Sequence, residues 1–192
     1  MQTISAPLFE GQLIRLTPVD HEADPETVAA WTHNDEFMRL YSPQPVRPLT
    51  VEQVKKKFEQ IDKEMDEDNN LFHFAIRPHD EQRLIGEARL QWIEWTNGNA
   101  WVKLGIPNPQ DRHHGYGSEA LRLLMRFAFR ELNLYRLTIS LPEYNARAIA
   151  FFEKAGFIVE VRRREAINRM GRRWDLIDMG ILLPEWEARH AS

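Results

Sequence analysis

The chain predicts a mixed α/β (α+β) layer fold, and three observations carry that prediction. Apolar residues recur at helical spacing at Val54, Phe58, Ile61 and Met65. The period then falls to two, with Phe72, Phe74 and Ile76 alternating and further extended stretches behind them. The second half alternates amphipathic helix and strand. The order reads strand, two helices, three strands, helix, strand, helix, two strands, or about seven strands and about four helices.

Each element has a local cause. Leu13-Ile14-Arg15-Leu16 reads as the first strand. Asp24-Pro25-Glu26 offers an N-cap, a first-turn proline and an acid at the positive end of the helix dipole, opening a short helix through Val28, Ala29 and Trp31. Three prolines between Ser42 and Pro48 forbid regular structure. Thr50 and Gln53 then make a capping box for the second helix. Pro78-His79-Asp80-Glu81 ends the first alternating run, and an extended stretch follows from about Arg83 to Trp95. Asn97-Gly98, both tolerant of positive φ, marks a tight hairpin into a strand from about Ala100 to Ile106. A helix after Gly117 carries Leu121, Leu124, Met125, Ala128, Phe129 and Leu132 on one face. A strand over 136–140 follows, then a helix capped by Asn145 and closed by Gly156 with Phe157 beyond it. Strands near 158–167 and 172–182 meet at Met170-Gly171.

At 192 residues the chain fits one domain, 1–192, with 43% apolar and 28% charged residues. No run of about 18 apolar residues predicts a membrane span, and MQTISAPLFEG lacks the blocks of a secretory signal. Zero cysteines excludes thiolate chemistry and fits a cytoplasmic location. The net charge of −4 argues against sequence-independent nucleic-acid binding.

The informative loop runs from Leu104, Gly105 and Ile106 to Arg112, His113, His114, Gly115, Tyr116, Gly117 and Ser118. It joins a strand to a helix, so its N–H groups precede the positive end of a dipole, and two glycines let the chain approach a ligand. With Arg112 it suits a pyrophosphate; glycines serving turn geometry alone are the alternative. Gly115-Tyr116-Gly117-Ser118-Glu119-Ala120 also matches a dinucleotide fingerprint, with Glu143 as a ribose partner. Against it, eight residues from Pro107 to His114 part strand from glycine, and the preceding strands read as hairpins.

Arg112-His113-His114-Gly115-Tyr116-Gly117 resembles the R/Q-x-x-G-x-G/A loop of the GNAT superfamily of N-acetyltransferases. Asn145-Ala146-Arg147-Ala148 with Phe152, Gly156 and Phe157 looks like that family's N-x-x-A…G-F helix. The segments from Leu132 and from Ile167 resemble the branch of ribosomal-protein N-terminal and spermidine acetyltransferases. The resemblance implies a splayed central sheet, with acetyl-CoA lodged where two strands part. It implies pyrophosphate on the 112–118 loop, pantetheine along Leu104, Gly105 and Ile106, and coenzyme contact at Asn145, which is equally an N-cap. Phe152 stands where the family's usual acid is a tyrosine, so Tyr144 is the nearest phenol, and Trp101 falls near the position of a frequent glutamate. Glu87 and Glu94 are candidate bases, with His73 behind them; the reading that burial statistics favour for each is a hydrogen-bonded or solvated side chain.

The implied reaction is acetyl transfer to a primary amine, either a protein N-terminus or a small amine such as a polyamine. The alternative is a coenzyme-binding sensor that lost its acid. No metal is expected, since His113-His114 has no ligand partner at a suitable spacing. A homodimer is the assembly that base rates favour. Arg162-Arg163-Arg164 with Arg172-Arg173 reads as a solvated hairpin balanced by Glu160, Glu165 and Asp175, or as a contact for an acidic group. Trp92, Trp95 and Trp101 fit an acceptor pocket or sheet packing equally, and the proline loop around Arg47 would border the acceptor.

Overall fold

A computed structural model describes residues 7–190. Positions 1–6, read above for a secretory signal, lie outside the described residues. Among the described residues seven strands form one sheet, in the order β1-β2-β3-β4-β5-β7-β6. They are β1 (Ile14–Thr17), β2 (Phe72–Pro78), β3 (Gly86–Glu94), β4 (Asn99–Gly105), β5 (Arg136–Pro142), β6 (Ile158–Arg169) and β7 (Arg172–Leu182). The helices are α1 (Pro25–Thr32), α2 (Asp35–Tyr41), α3 (Val51–Asp68), α4 (Tyr116–Arg126), α5 (Ala146–Ala155) and α6 (Leu183–His190). The mixed α/β reading holds, and α2 and α6 add to the four expected helices. Seven and eight residues give too few turns for a periodic signal. α2 exists because Asn34 Oδ1 accepts from Phe37 N–H at 3.0 Å, an N-cap just before the proline run.

At β2 both faces of the sheet are covered, Ile76 entering one core and Ala75 another, whereas the edge strand β6 is almost wholly exposed. One core lies between the sheet and α4 and α5, with Leu90, Val102, Leu124, Leu137 and Phe152 among its buried members. A smaller core unites Val28 of α1, Val54 and Phe58 of α3 and Ala75 of β2. Burying a side chain such as Phe58 contributes roughly 1.5–3 kcal/mol relative to leaving it in water.

Local chemistry mostly follows the sequence. Thr50 and Gln53 bond reciprocally as a capping box at 3.2 and 3.0 Å. Gly156 closes α5 with φ of 107°, and the Phe157 N–H reaches the Phe152 carbonyl at 3.0 Å. Met170 and Gly171, at φ 53° and 70°, turn β6 into β7. Three details differ. The β3–β4 turn takes four residues, and of the Asn97-Gly98 pair Gly98 alone has positive φ. β3 begins at Gly86 rather than Arg83, because residues 79–85 form an irregular connection. The helix after Gly117 gives way to a π-helical turn at Phe127–Glu131.

Asp24 sits at the start of α1 without capping it. Its carboxylate instead accepts twice from Arg77 NH2, at 2.9 and 2.7 Å, in a pair buried beneath the sheet end. Arg77 also donates to Thr17 Oγ1 and the Gln82 carbonyl. A buried cation with that many acceptors outcompetes a helix end for the carboxylate. Asp24→Asn keeps the volume but removes the charge, and it is expected to cost about 1–3 kcal/mol in urea unfolding.

The feature that positions the site lies mid-sheet. β4 pairs antiparallel with β3 as far as Gly105, but parallel with β5 only from Asn99↔Arg136 to Trp101↔Thr138. Beyond Trp101 the two strands part. Residues 102–105 therefore hold β3 on one side and leave their other main-chain edge unpaired.

Candidate active site

The parting of β4 and β5 opens a cleft of about 920 Å³. Its floor is Val102, Leu104 and Ile106 facing Ile139 and Leu141; its rims come from α2 and from the loop before α4. At that loop Gly115 adopts φ of 86°, a conformation that L side chains resist. The first intrahelical bond of α4 runs from Glu119 N–H to the Gly115 carbonyl at 3.0 Å, so the N–H groups of 116–118 precede the ladder. A Cβ built at Gly117 would make only ordinary van der Waals contacts, the nearest with Ile106 Cδ1 at 3.7 Å.

Two cations stand at this end. Arg112 lines the cleft while donating to the Ile106 carbonyl at 2.9 Å and the Pro107 carbonyl at 2.5 Å. Arg147, from α5, lines it too and donates to His113 Nε2 at 2.5 Å, so that nitrogen carries no proton. Burial and then the charge of Arg147 lower the Arg112 pKa. Two cations that repel across a helix N-terminus suit a doubly anionic group. A free strand edge, a glycine turn and this cation pair together fit a nucleotide-bearing coenzyme with a pyrophosphate and an amide-containing arm.

Of the expected coenzyme residues, Leu104, Gly105, Ile106, Arg112, His113, Gly115, Gly117, Ser118, Asn145 and Phe152 all line the cleft. His114 and Tyr116 do not: the His114 ring contacts the Gln110 carbonyl at 3.1 Å and lies against Tyr116. Asn145 spends both ends of its amide, capping α5 through Ala148 N–H and donating to the Leu40 carbonyl at 3.0 Å. Phe152 is 2% exposed and packs edge-on to Phe151 and Phe157.

The candidate catalytic groups separate. Tyr144 lies outside the lining; its hydroxyl donates to the Arg39 carbonyl at 2.8 Å and accepts from Arg169. Glu94 sits at the β3–β4 turn, also outside the lining, near Asn97 and Asn99. Glu87 stands directly behind the cleft wall. Its carboxylate accepts from Tyr41 OH at 2.7 Å, His73 Nε2 at 2.9 Å and Arg89 NH2 at 2.6 Å. Burial alone would raise its pKa, but Arg89, His73 and Tyr41 outweigh burial and hold it well below the usual range. Burial lowers the His73 pKa against the pull of Glu87, so at neutral pH His73 is a neutral donor.

Among the cleft residues that escape sequence reasoning are Tyr41 and Lys103. Tyr41 ends α2, 46 residues from Glu87, and no spacing rule joins them. Burial and then Glu87 push its phenol well above the ordinary value, so it stays protonated. Lys103 sits on β4 with its ammonium over the Tyr41 ring at 4.4 Å. Tyr41→Phe keeps that ring and deletes the donor to Glu87. The expected loss is about 1.5–3 kcal/mol of stability, read by chemical denaturation.

Near the far rim, Ser42, Pro43 and Gln44 of the proline segment line the cleft, whereas Arg47 does not. Trp92 and Trp101 meet edge-to-face at 5.8 Å and line it; Trp95 instead donates to the Asn69 carbonyl. Of the basic hairpin, Arg162 pairs with Glu143 and Asp175, and Arg163 with Asp178. Glu160, read as balancing that cluster, pairs with Arg136 instead.

Fold and cleft together are those of an acyltransferase. The Acetyltransferase (GNAT) domain profile matches residues 14–158, and the chain belongs to the GNAT family of N-acetyltransferases. It is 27% identical over 186 residues to the probable N-acetyltransferase YjcK of Bacillus subtilis (strain 168), covering 94% of this chain and 99% of that one. It is 26% identical over 132 residues to the spermidine N(1)-acetyltransferase of Escherichia coli (strain K12), covering 65% of this chain and 70% of that one. The solved spermidine N-acetyltransferase from Vibrio cholerae in complex with CoA and spermine shares the fold. Its TM-score is 0.79 at 19% identity, over 90% of this chain and 97% of that one.

Proposed function

We propose that residues 1–192 form one N-acetyltransferase domain that moves the acetyl group of acetyl-CoA to a primary amine. The amine is on a protein N-terminus or a small molecule such as a polyamine. The observation that carries this reading is the unpaired edge of residues 102–105 running into the glycine turn at α4. In the proposed mode that edge holds the pantetheine arm as an added strand does. The N–H groups of 116–118, with Arg112 and Arg147, hold the pyrophosphate. Acetyl-CoA supplies an activated thioester when bound.

The chain's own part is to position, desolvate and stabilise charge. Main-chain N–H groups near Ile106 are the proposed donors to the developing oxyanion. Glu87, held by three donors, is a poor proton acceptor; its role is to fix Tyr41 in the acceptor wall. The acceptor then has to enter as its neutral fraction. That favours an α-amino group, with a pKa near ~7.7–8.0, over a lysine-like amine near ~10.4. Phe152 and the committed Tyr144 hydroxyl also support a second reading, a coenzyme-binding sensor without turnover.

Free thiol release from acetyl-CoA, measured across N-terminal peptides, amino acids, polyamines and aminoglycosides, separates the two. Acceptor-dependent release is the expected result. Tight coenzyme binding without release would leave the sensor. Among the described residues no helix is long and apolar enough to cross a membrane. A cytoplasmic location and a homodimer complete the proposal, the latter checked by size-exclusion chromatography with light scattering.

A further inference from the structure

The acceptor side of the cleft has a charge pattern of its own. Among the described residues no aspartate or glutamate lines the cleft, while Lys103 lines it from β4. Two carboxylates stand behind lining residues, and each is already matched. Glu87 is held by Arg89, His73 and Tyr41, and Asp178 by Arg163 and Ser140.

Lys103 is unmatched. Its ammonium rests on the Tyr41 ring and has no hydrogen bond or ion pair among the described residues. Its surroundings are short of acceptors, for Arg89 Nε is also buried without a partner. Burial lowers the Lys103 pKa to about 8; Arg89 and Lys57 add to the fall and Glu87 opposes it. The group is therefore still mostly protonated at neutral pH, a partly desolvated cation facing open space. Arg112 and Arg147 do not share this place: they sit at the loop end, tied to Ile106, Pro107 and His113.

We infer that the acceptor is an α-amine carrying a carboxylate, and that Lys103 receives that carboxylate. A polyamine would bring further cations into a wall with no free anion, where like charges are costly. A carboxylate would give Lys103 the counter-ion it lacks. Trp101, two residues away on the same face of β4, would flank the acceptor's body. The inference rests on the acetyltransferase reading and narrows its acceptor. Lys103 is a specificity-determining residue in this scheme.

The test uses matched pairs as acceptors in the thiol-release assay. Free amino acids are set against their α-amides, with kcat/KM expressed per neutral amine because the free acid's α-ammonium holds its proton more tightly, and C-terminally blocked peptides beginning with Asp or Glu against those beginning with Asn or Gln. Spermidine is the third arm. In the wild type one carboxylate member is expected to exceed its amide by about 10-fold or more in kcat/KM, mainly through KM. Which pair responds tells a free amino acid from an acidic N-terminus. Lys103→Met should bring that ratio to near one, whatever becomes of the amide's own rate, and Lys103→Arg should restore part of it.

Equal use of acid and amide, preference for spermidine, or a ratio that survives Lys103→Met would overturn the inference. Those results with acetyl-CoA still bound leave the family reading of the cleft standing. Failure of the wild type to bind acetyl-CoA sinks both. Were Lys103→Met not to fold, the wild-type acceptor series still decides.

Discussion

Glu87→Ala is expected to remove about 3–5 kcal/mol of stability, the usual cost of breaking a buried ion pair from one side. Arg89, with a side chain 9% exposed, would keep its charge and lose its only carboxylate partner in bonding distance among the described residues. Tyr41 OH and His73 Nε2 would lose their acceptors in the same step. Glu87→Gln should fall between, since the amide oxygen still accepts but carries no charge. The pH dependence has a definite sign. The folded pKa of Glu87 is depressed, so its contribution is fully present above the ordinary value of 4.5 and fades as the pH drops towards the folded value. Urea midpoints of wild type and Glu87→Gln should therefore converge as the pH is taken below about 4.5. A constant gap across that range would mean the carboxylate's charge is not what stabilises the site.

Gly117→Asp should separate folding from coenzyme binding. The new Cβ meets only ordinary contacts, with Ile106 at 3.7 Å and Phe151 at 3.9 Å. The residue is the second of α4, where an acidic side chain favours the helix dipole, so the melting temperature should hold or rise slightly. The carboxylate would nevertheless occupy the place proposed for the pyrophosphate. Like charges in contact cost several kcal/mol, so acetyl-CoA affinity by calorimetry should fall about 100-fold or more. Unchanged affinity would remove the pyrophosphate from this helix end.

Elements with a period or a punctuating residue were legible in the sequence. Thr50 with Gln53, Asn145, Gly156 and the Met170-Gly171 turn all form the local structures their chemistry implies. Asp24 shows the limit of such reading. Its neighbours say helix cap, but a buried arginine 53 residues away takes the carboxylate. The glycine loop announced the end proposed for the coenzyme because its residues are contiguous. The acceptor wall did not, because Tyr41, His73, Glu87 and Lys103 come from one helix and three strands, and only the sheet register sets them side by side. Glu87 drew notice as a carboxylate near the loop; its triple hydrogen bonding, which weakens it as a base, depends on partners no local pattern reveals. Arg147 was passed over although it lies inside a recognised helix motif, since its importance comes from facing Arg112 across the cleft.

The short seam between β4 and β5 has a mechanical meaning. Three residue pairs join β4 to β5, and among the described residues no strand pairing continues past Trp101. A pantetheine arm laid along residues 102–105 would act as a splint, finishing a sheet that the polypeptide leaves incomplete. Ligand capture and stiffening of the scaffold would then be one event. The slot proposed for the acyl donor is thus also the shortest strand pairing in the sheet.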